Sequence, residues 1–186
     1  MEIQYDKTVV VIPKHLNVDF FEEIVENAVQ EANPRIKRIF MKMGSSAGDN
    51  YCSLIYRVLI TYSLSDDSCP ENTISVIIKS MPVTKSIDFL EDMKVFLKEK
   101  VFYYHVLPIM EIFTHDRRQF GAKLYQCLKK PINTLVFQDL GSLGYGLASR
   151  ELGMDENHAS LVLRRLAQFH SISLVVKQKR SSIISD

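Results

Sequence analysis

The chain has 186 residues, 46% of them hydrophobic, with 23 basic against 22 acidic side chains. That length and apolar content suffice for one globular domain with a core, or for two small lobes sharing a cleft, and exclude a disordered tail. The near-neutral charge balance gives no electrostatic basis for binding nucleic acid or an anionic membrane surface, so partners have to be argued from a site.

Cys52, Cys69 and Cys127 are odd in number, far apart, and without a CxxC pair or a histidine at metal-ligand spacing, which reads as reduced thiols. The apolar run in MEIQYDKTVVVIPKHL is too short for a secretory leader and is broken by charges and Pro13. No stretch reaches the roughly 20 apolar residues of a membrane-spanning helix. The expectation is a soluble, cytoplasmic protein with no nucleic-acid or membrane partner.

In chain order, Asn17 and Asp19 introduce a helix with Phe20, Ile24, Ala28 and Ala32 on one face, ended by Pro34. RIKRIFMK (35–42) alternates loosely as a strand. From Tyr51 to Tyr62 the alternation is clear: Cys52, Leu54, Tyr56, Val58, Ile60 and Tyr62 are apolar, while Ser53, Arg57 and Thr61 lie on the other face. SLSDDSCPEN is turn chemistry, and TISVIIKSMP is a β-branched strand stopped by Pro82. Residues 36–80 therefore predict an antiparallel meander.

The period then becomes helical from about Ile87 to Phe113, through Leu90, Met93, Phe96 and Leu97, with a bend or restart near Pro108. Phe96, Phe102, Tyr103 and Tyr104 read as the seam between this helix and the sheet. AKLYQCL and NTLVFQDL are two more strands, GSLGYG is a link, and a last helix spans Asp155 to His170. His170 reads as a packed or capping histidine, and His15, His105, His115 and His158 have no ligand spacing.

Before the clearest strand comes MGSSAGDNY (43–51), which suits either a phosphate-cradling loop or a plain hairpin turn. Further along, Lys79 lies on the third meander strand and Glu99 on the long helix. A phosphoryl-transfer site needs backbone amides near the phosphates, a cation on their oxygens and a carboxylate holding that cation, supplied in protein kinases by elements in this same order.

With these residues the chain resembles the ecdysteroid kinase-like family of arthropods, related to choline kinases and aminoglycoside phosphotransferases. GDNYCSLIYRV resembles its G-[ED]-N-Y-x-S-x-x-x-R-V signature, VIIKSMP its lysine strand, and FLKEKVFYYHVLP its F-x-x-E-x-x-F-Y-x-x-x-L-P helix. LVFQDLGSLGY is similar to its L-V-x-E-D-L hinge and LRRLAQFHSIS to the helix that follows. These blocks run in order from position 48 to 172.

The resemblance implies an α+β fold: a protein-kinase-like N-terminal lobe of about five antiparallel strands and one long helix over residues 1–138, then a hinge and partial C-terminal lobe over 139–186. It implies an ATP-dependent kinase of a small-molecule alcohol, an ecdysteroid being the family's suggestion, with Mg²⁺ as the accompanying ion. Ser45, Ser46 and Gly48 would line the phosphate loop, Lys79 would touch the α- and β-phosphates, Glu99 would orient Lys79, and backbone groups of Gln138, Asp139 and Leu140 would meet the adenine. The Asp139 side chain could position the substrate or start the glycine turn.

Asp49 stands where the family often has Glu, and Gln138 replaces the usual hinge acid. The family's H-G-D-x-W-x-x-N catalytic loop does not occur in the 186 residues, and HDRRQF (115–120) precedes the hinge, so it is a charged turn and not a substitute. The expectation is that this chain alone transfers no phosphate and has no catalytic residue of its own. The alternatives are a non-catalytic nucleotide-binding or interaction module, and a binding domain with no nucleotide. The apolar face Ala159, Val162, Leu163, Leu166 and Phe169 should be partly exposed and favour self-association.

Overall fold

A computed structural model describes residues 3–9, 14–31, 33–45, 53–64, 70–82, 94–114, 119–149 and 151–179. The described elements are β1 (Ile3–Tyr5), α1 (Val18–Val29), β2 (Pro34–Met43), β3 (Leu54–Leu64), β4 (Asn72–Ser80), α2 (Val95–Val101), α3 (Leu107–Ile112), β5 (Leu124–Leu128), β6 (Thr134–Gln138) and α4 (Glu156–Lys179). They form a mixed α+β structure around one six-stranded sheet of order β1-β2-β3-β4-β6-β5. The meander β2-β3-β4 is antiparallel as the alternation predicts, and β6 pairs antiparallel with both β4 and β5. The sixth strand is β1, which lies parallel to β2.

The pleat sorts the side chains. Tyr56, Val58, Ile60, Val76, Ile78 and Val136 point to one face, where Phe20, Phe21, Ile24 and Val25 of α1 cover them in the main core. On the other face Phe137 and Leu135 pack with Met81 and Phe96 in a second cluster under α2. Ile77 and Lys79 alternate along β4 with Val76 and Ile78 and so belong to this second face, because successive side chains of a strand point to opposite sides.

Helix ends depart from expectation in two places. The α1 N-cap is Asn17, whose side chain accepts the Phe20 N–H, but the helix stops at Val29. Gln30 closes it in the left-handed region (φ 60°) with its N–H on the Glu26 carbonyl. Pro34 opens β2 instead of ending α1, a strand position that needs no N–H. Likewise Lys94 has φ 53°, so no helix runs through it and α2 starts at Val95; the expected start at Ile87 lies outside the described residues. Leu90 and Met93 lie outside the described residues.

The restart near Pro108 takes a specific form. Residues Phe102–Val106 make a π-turn between α2 and α3, and Pro108 sits in the first turn of α3, where its missing N–H is tolerated. Phe102 packs on Phe169 of α4, with ring centroids 6.1 Å apart. Tyr104 is exposed and is not part of the seam; its ring meets only that of neighbouring His105 among the described aromatic pairs. The last helix runs on past His170 to Lys179, with Asp155 accepting the His158 N–H at its start. His170 is exposed beside Phe169. No helix among the described residues is long and apolar enough to cross a membrane.

Candidate functional site

Lys79 is the penultimate residue of β4, and its side chain leaves the sheet on the α2 face. One helical turn into α2, Glu99 receives it: Nζ lies 2.8 Å from Oε1 and 2.6 Å from Oε2. Both side chains are about a quarter exposed, 24% and 22%, so the pair is shielded but open to a ligand. Ile55 of β3 is the direct neighbour of Lys79.

The loop before β3 leaves the sheet beside this pair. Gly44 donates its N–H to the Ile55 carbonyl at 2.8 Å. A Cβ on Gly44 would come within 2.7 Å of the Ile55 side chain, so the close approach of the two strands requires glycine. Ser45 is half-buried at the end of the described part of this loop. Ser46 and Gly48, expected to line the phosphate loop, lie outside the described residues, as does most of HDRRQF.

From Lys79 a cleft of about 520 Å³ runs to the segment after β6. Its walls include Ile55 and Arg57 of β3, Ile77 of β4, Tyr103 of the π-turn, Phe137 of β6 and Leu140. Tyr103 stacks edge-on against Phe137 at 4.8 Å. Burial, and then the nearby Glu99 charge, push its hydroxyl pKa above the ordinary 10.0, so at neutral pH it stays a phenol able to donate.

At the far end, Gln138, Asp139 and Leu140 border the cleft, but the Asp139 carboxylate is engaged within the protein, its side chain only 4% exposed. Ser75 Oγ donates to Oδ2 at 2.7 Å, and the Gly141 N–H donates to Oδ1 at 3.0 Å. Arg57 Nη2 donates to Oδ1 at 3.3 Å, while Nε lies 2.9 Å from Oδ2 as an ion-pair contact not aligned for a hydrogen bond. Of the two roles open to Asp139, starting the glycine turn is the one its side chain performs. Residues 140–143 form a single 3₁₀ turn capped by Asp139 and closed by Gly144 at φ 87°.

Sequence reading overlooked Arg57, Ser75 and Tyr103. Arg57 stood inside the signature GDNYCSLIYRV, yet alternation alone marks it only as a residue of the strand's second face.

A lysine on an antiparallel sheet held by a glutamate of the covering helix is the arrangement that protein kinases use. The ecdysteroid kinase-like family model matches residues 47–186, and the chain belongs to that family. No curated protein and no solved structure matches the chain.

Proposed function

We propose that these residues bind ATP for phosphoryl transfer to the hydroxyl of a small molecule, with an ecdysteroid as the acceptor class suggested by the family's name. The observation that carries this reading is the two-oxygen contact between Lys79 and Glu99 at one end of a cleft whose other end is the hinge. The donor set fits the nucleotide. Ile55, Ile77, Phe137 and Leu140 offer apolar walls to a base, residues 138–140 offer main-chain groups to its edge, and Lys79 offers a fixed cation to phosphate oxygens. Ser45, Ser46 and Gly48 complete the reading as the phosphate loop, and the division between residues 1–138 and 139–186 goes with it.

In this mechanism Glu99 holds the Lys79 ammonium extended along the cleft, so the cation need not be ordered when phosphate arrives. Bound ATP supplies the transferable phosphoryl group. Mg²⁺ would enter with the nucleotide and neutralise phosphate charge; among the described residues no cluster of three His, Cys, Asp or Glu side chains converges to hold a metal, and no residue of the cleft is assigned to it.

Binding without transfer is the second reading, and one observation favours it for these 186 residues. The described carboxylates lining the cleft are Glu99 and Asp139, and each is already engaged, Glu99 by Lys79 and Asp139 by Arg57, Ser75 and Gly141. Neither is free to accept a proton from an alcohol.

The test is equilibrium dialysis of ATP against the chain and its Lys79→Met variant, with circular dichroism to verify that both are folded. ATP should bind the chain, and at least tenfold more weakly the variant. Absence of binding to the folded chain, or equal binding to both, overturns the assignment. Adding the acceptor alcohol and following ATP consumption then separates the two readings.

A further inference from the structure

We propose that Arg57, Ser75 and Asp139 form a latch that sets the hinge at the height at which it reads a nucleotide base, which makes Arg57 a positioning residue for the base half of the ligand; this rests on the nucleotide-binding reading above. The Asp139 carboxylate joins three separate parts of the chain. It takes Arg57 from β3, Ser75 from β4 and the Gly141 N–H from the turn that follows the hinge. The register explains why the three meet: Arg57 is paired with Ile77, and Gln138 with Val76, so the residue after Gln138 passes beside Ser75 on the cleft face.

The latch also decides which hinge groups remain for a ligand. The Asp139 carbonyl accepts both the N–H and the hydroxyl of Ser142, at 3.2 and 2.7 Å. With its carboxylate and carbonyl both engaged internally, Asp139 fixes the backbone between Gln138 and Leu140, and the Leu140 carbonyl accepts the Tyr145 N–H at 3.2 Å, so of Leu140 it is the N–H that would meet the base. Gln138 is further tied by its N–H to the Lys123 carbonyl at 2.9 Å.

Charge gives a second reason for Arg57. A carboxylate as buried as Asp139 would repel an anionic nucleotide if left alone, and a guanidinium neutralises it through two atoms where an ammonium would offer one. Gly141 belongs to the same arrangement. A Cβ there would stand 2.9 Å from Arg57 Nη2 and 3.1 Å from Asp139 Oδ1, so a side chain pushes the guanidinium away from the carboxylate while leaving both charges in place.

The experiment measures two probes on the 186-residue chain, adenosine for the base end and inorganic tripolyphosphate for the lysine end. Adenosine is uncharged, so its affinity is insensitive to a change in net charge. Arg57→Met, Asp139→Asn and Gly141→Ala should each lower adenosine affinity by tenfold or more relative to tripolyphosphate, and Lys79→Met should do the reverse. Ser75→Ala, the mildest change, should shift the ratio in the same direction as the other latch variants by a few-fold, and it serves if a charge-removing variant fails to fold. A wild-type chain that binds neither probe sinks the nucleotide reading itself. A wild-type chain that binds both, with the adenosine-to-tripolyphosphate ratio unchanged in the folded latch variants, overturns the latch and leaves the nucleotide reading standing.

Discussion

The ammonium nitrogen of Lys79 lies 5.8 Å from the ring centroid of Phe96, a residue of α2 three positions before the glutamate that pairs with that lysine. Phe96 is buried with Met81, Leu135 and Phe137, so the cluster that anchors α2 to the sheet also sets how far Glu99 stands from Lys79. Phe96→Ala should cost about 3–5 kcal/mol in urea unfolding, the usual range for a buried Phe→Ala change, and should weaken ATP binding in the fraction that stays folded. Phe96→Leu should keep most of both. If Phe96→Ala lowers stability but leaves ATP affinity intact, Glu99 is positioned by something other than this cluster.

A gain in stability is expected on the β5 side of β6. Gln126 of β5 is buried, and neither atom of its amide has a hydrogen-bond partner among the described residues. Leaving a buried amide unsatisfied costs about 1–3 kcal/mol, which an apolar chain of similar length avoids. Gln126→Met should therefore raise the urea midpoint, by about 1 kcal/mol or more in stability. A lower midpoint would show that the amide is satisfied in solution by an ordered water.

Much of this architecture was legible because it is local. The strict alternation of β3 and the β-branched run of β4 predict a half-buried meander, and the meander together with the family blocks places Lys79 and Glu99 on the right elements. What escaped is what depends on single backbone residues or on distant pairing. Three residues of β1 are too few to show a period. The left-handed turns at Gln30 and Lys94 fall on residue types that give no hint of positive φ. Arg57 and Asp139 are 82 residues apart, and only the register of β3 on β4 and β4 on β6 brings them together, so no pattern within either segment announces the pair.

His15 gives a pH dependence of known sign. Its ring nitrogen lies 3.2 Å from the Thr134 hydroxyl, and burial holds its pKa below the ordinary 6.5. The unfolded chain therefore takes up a proton at His15 more readily than the folded one. Stability from this group is complete above pH 6.5 and falls as pH drops from there through the folded pKa, below which both states are protonated and the loss levels off. Urea midpoints measured from about pH 7.5 down to about pH 5 should fall less steeply for His15→Asn than for the parent chain. Parallel profiles would mean that His15 carries no such linkage.

Among the described residues the last helix makes contact on one side only. Phe169 packs between Phe102 and Phe120, Val176 is fully buried, and Lys179 lies over the Phe113 ring. Earlier on the same helix Leu161, Val162, Leu163 and Leu166 are exposed, Leu163 to 64%. Of the face expected to lie open, Val162, Leu163 and Leu166 do so, Ala159 is half-covered, and Phe169 has found aromatic partners. Contiguous apolar side chains held in water favour association, because burying each stabilises a contact by about 1.5–3 kcal/mol when it is complete. Sedimentation velocity of the 186-residue chain should show mass increasing with concentration, and Leu163→Glu with Leu166→Glu should return it to monomer without lowering the unfolding midpoint, since neither residue is buried. A parent chain that stays monomeric across the concentration range, or a double variant that associates equally, removes this surface as the point of contact.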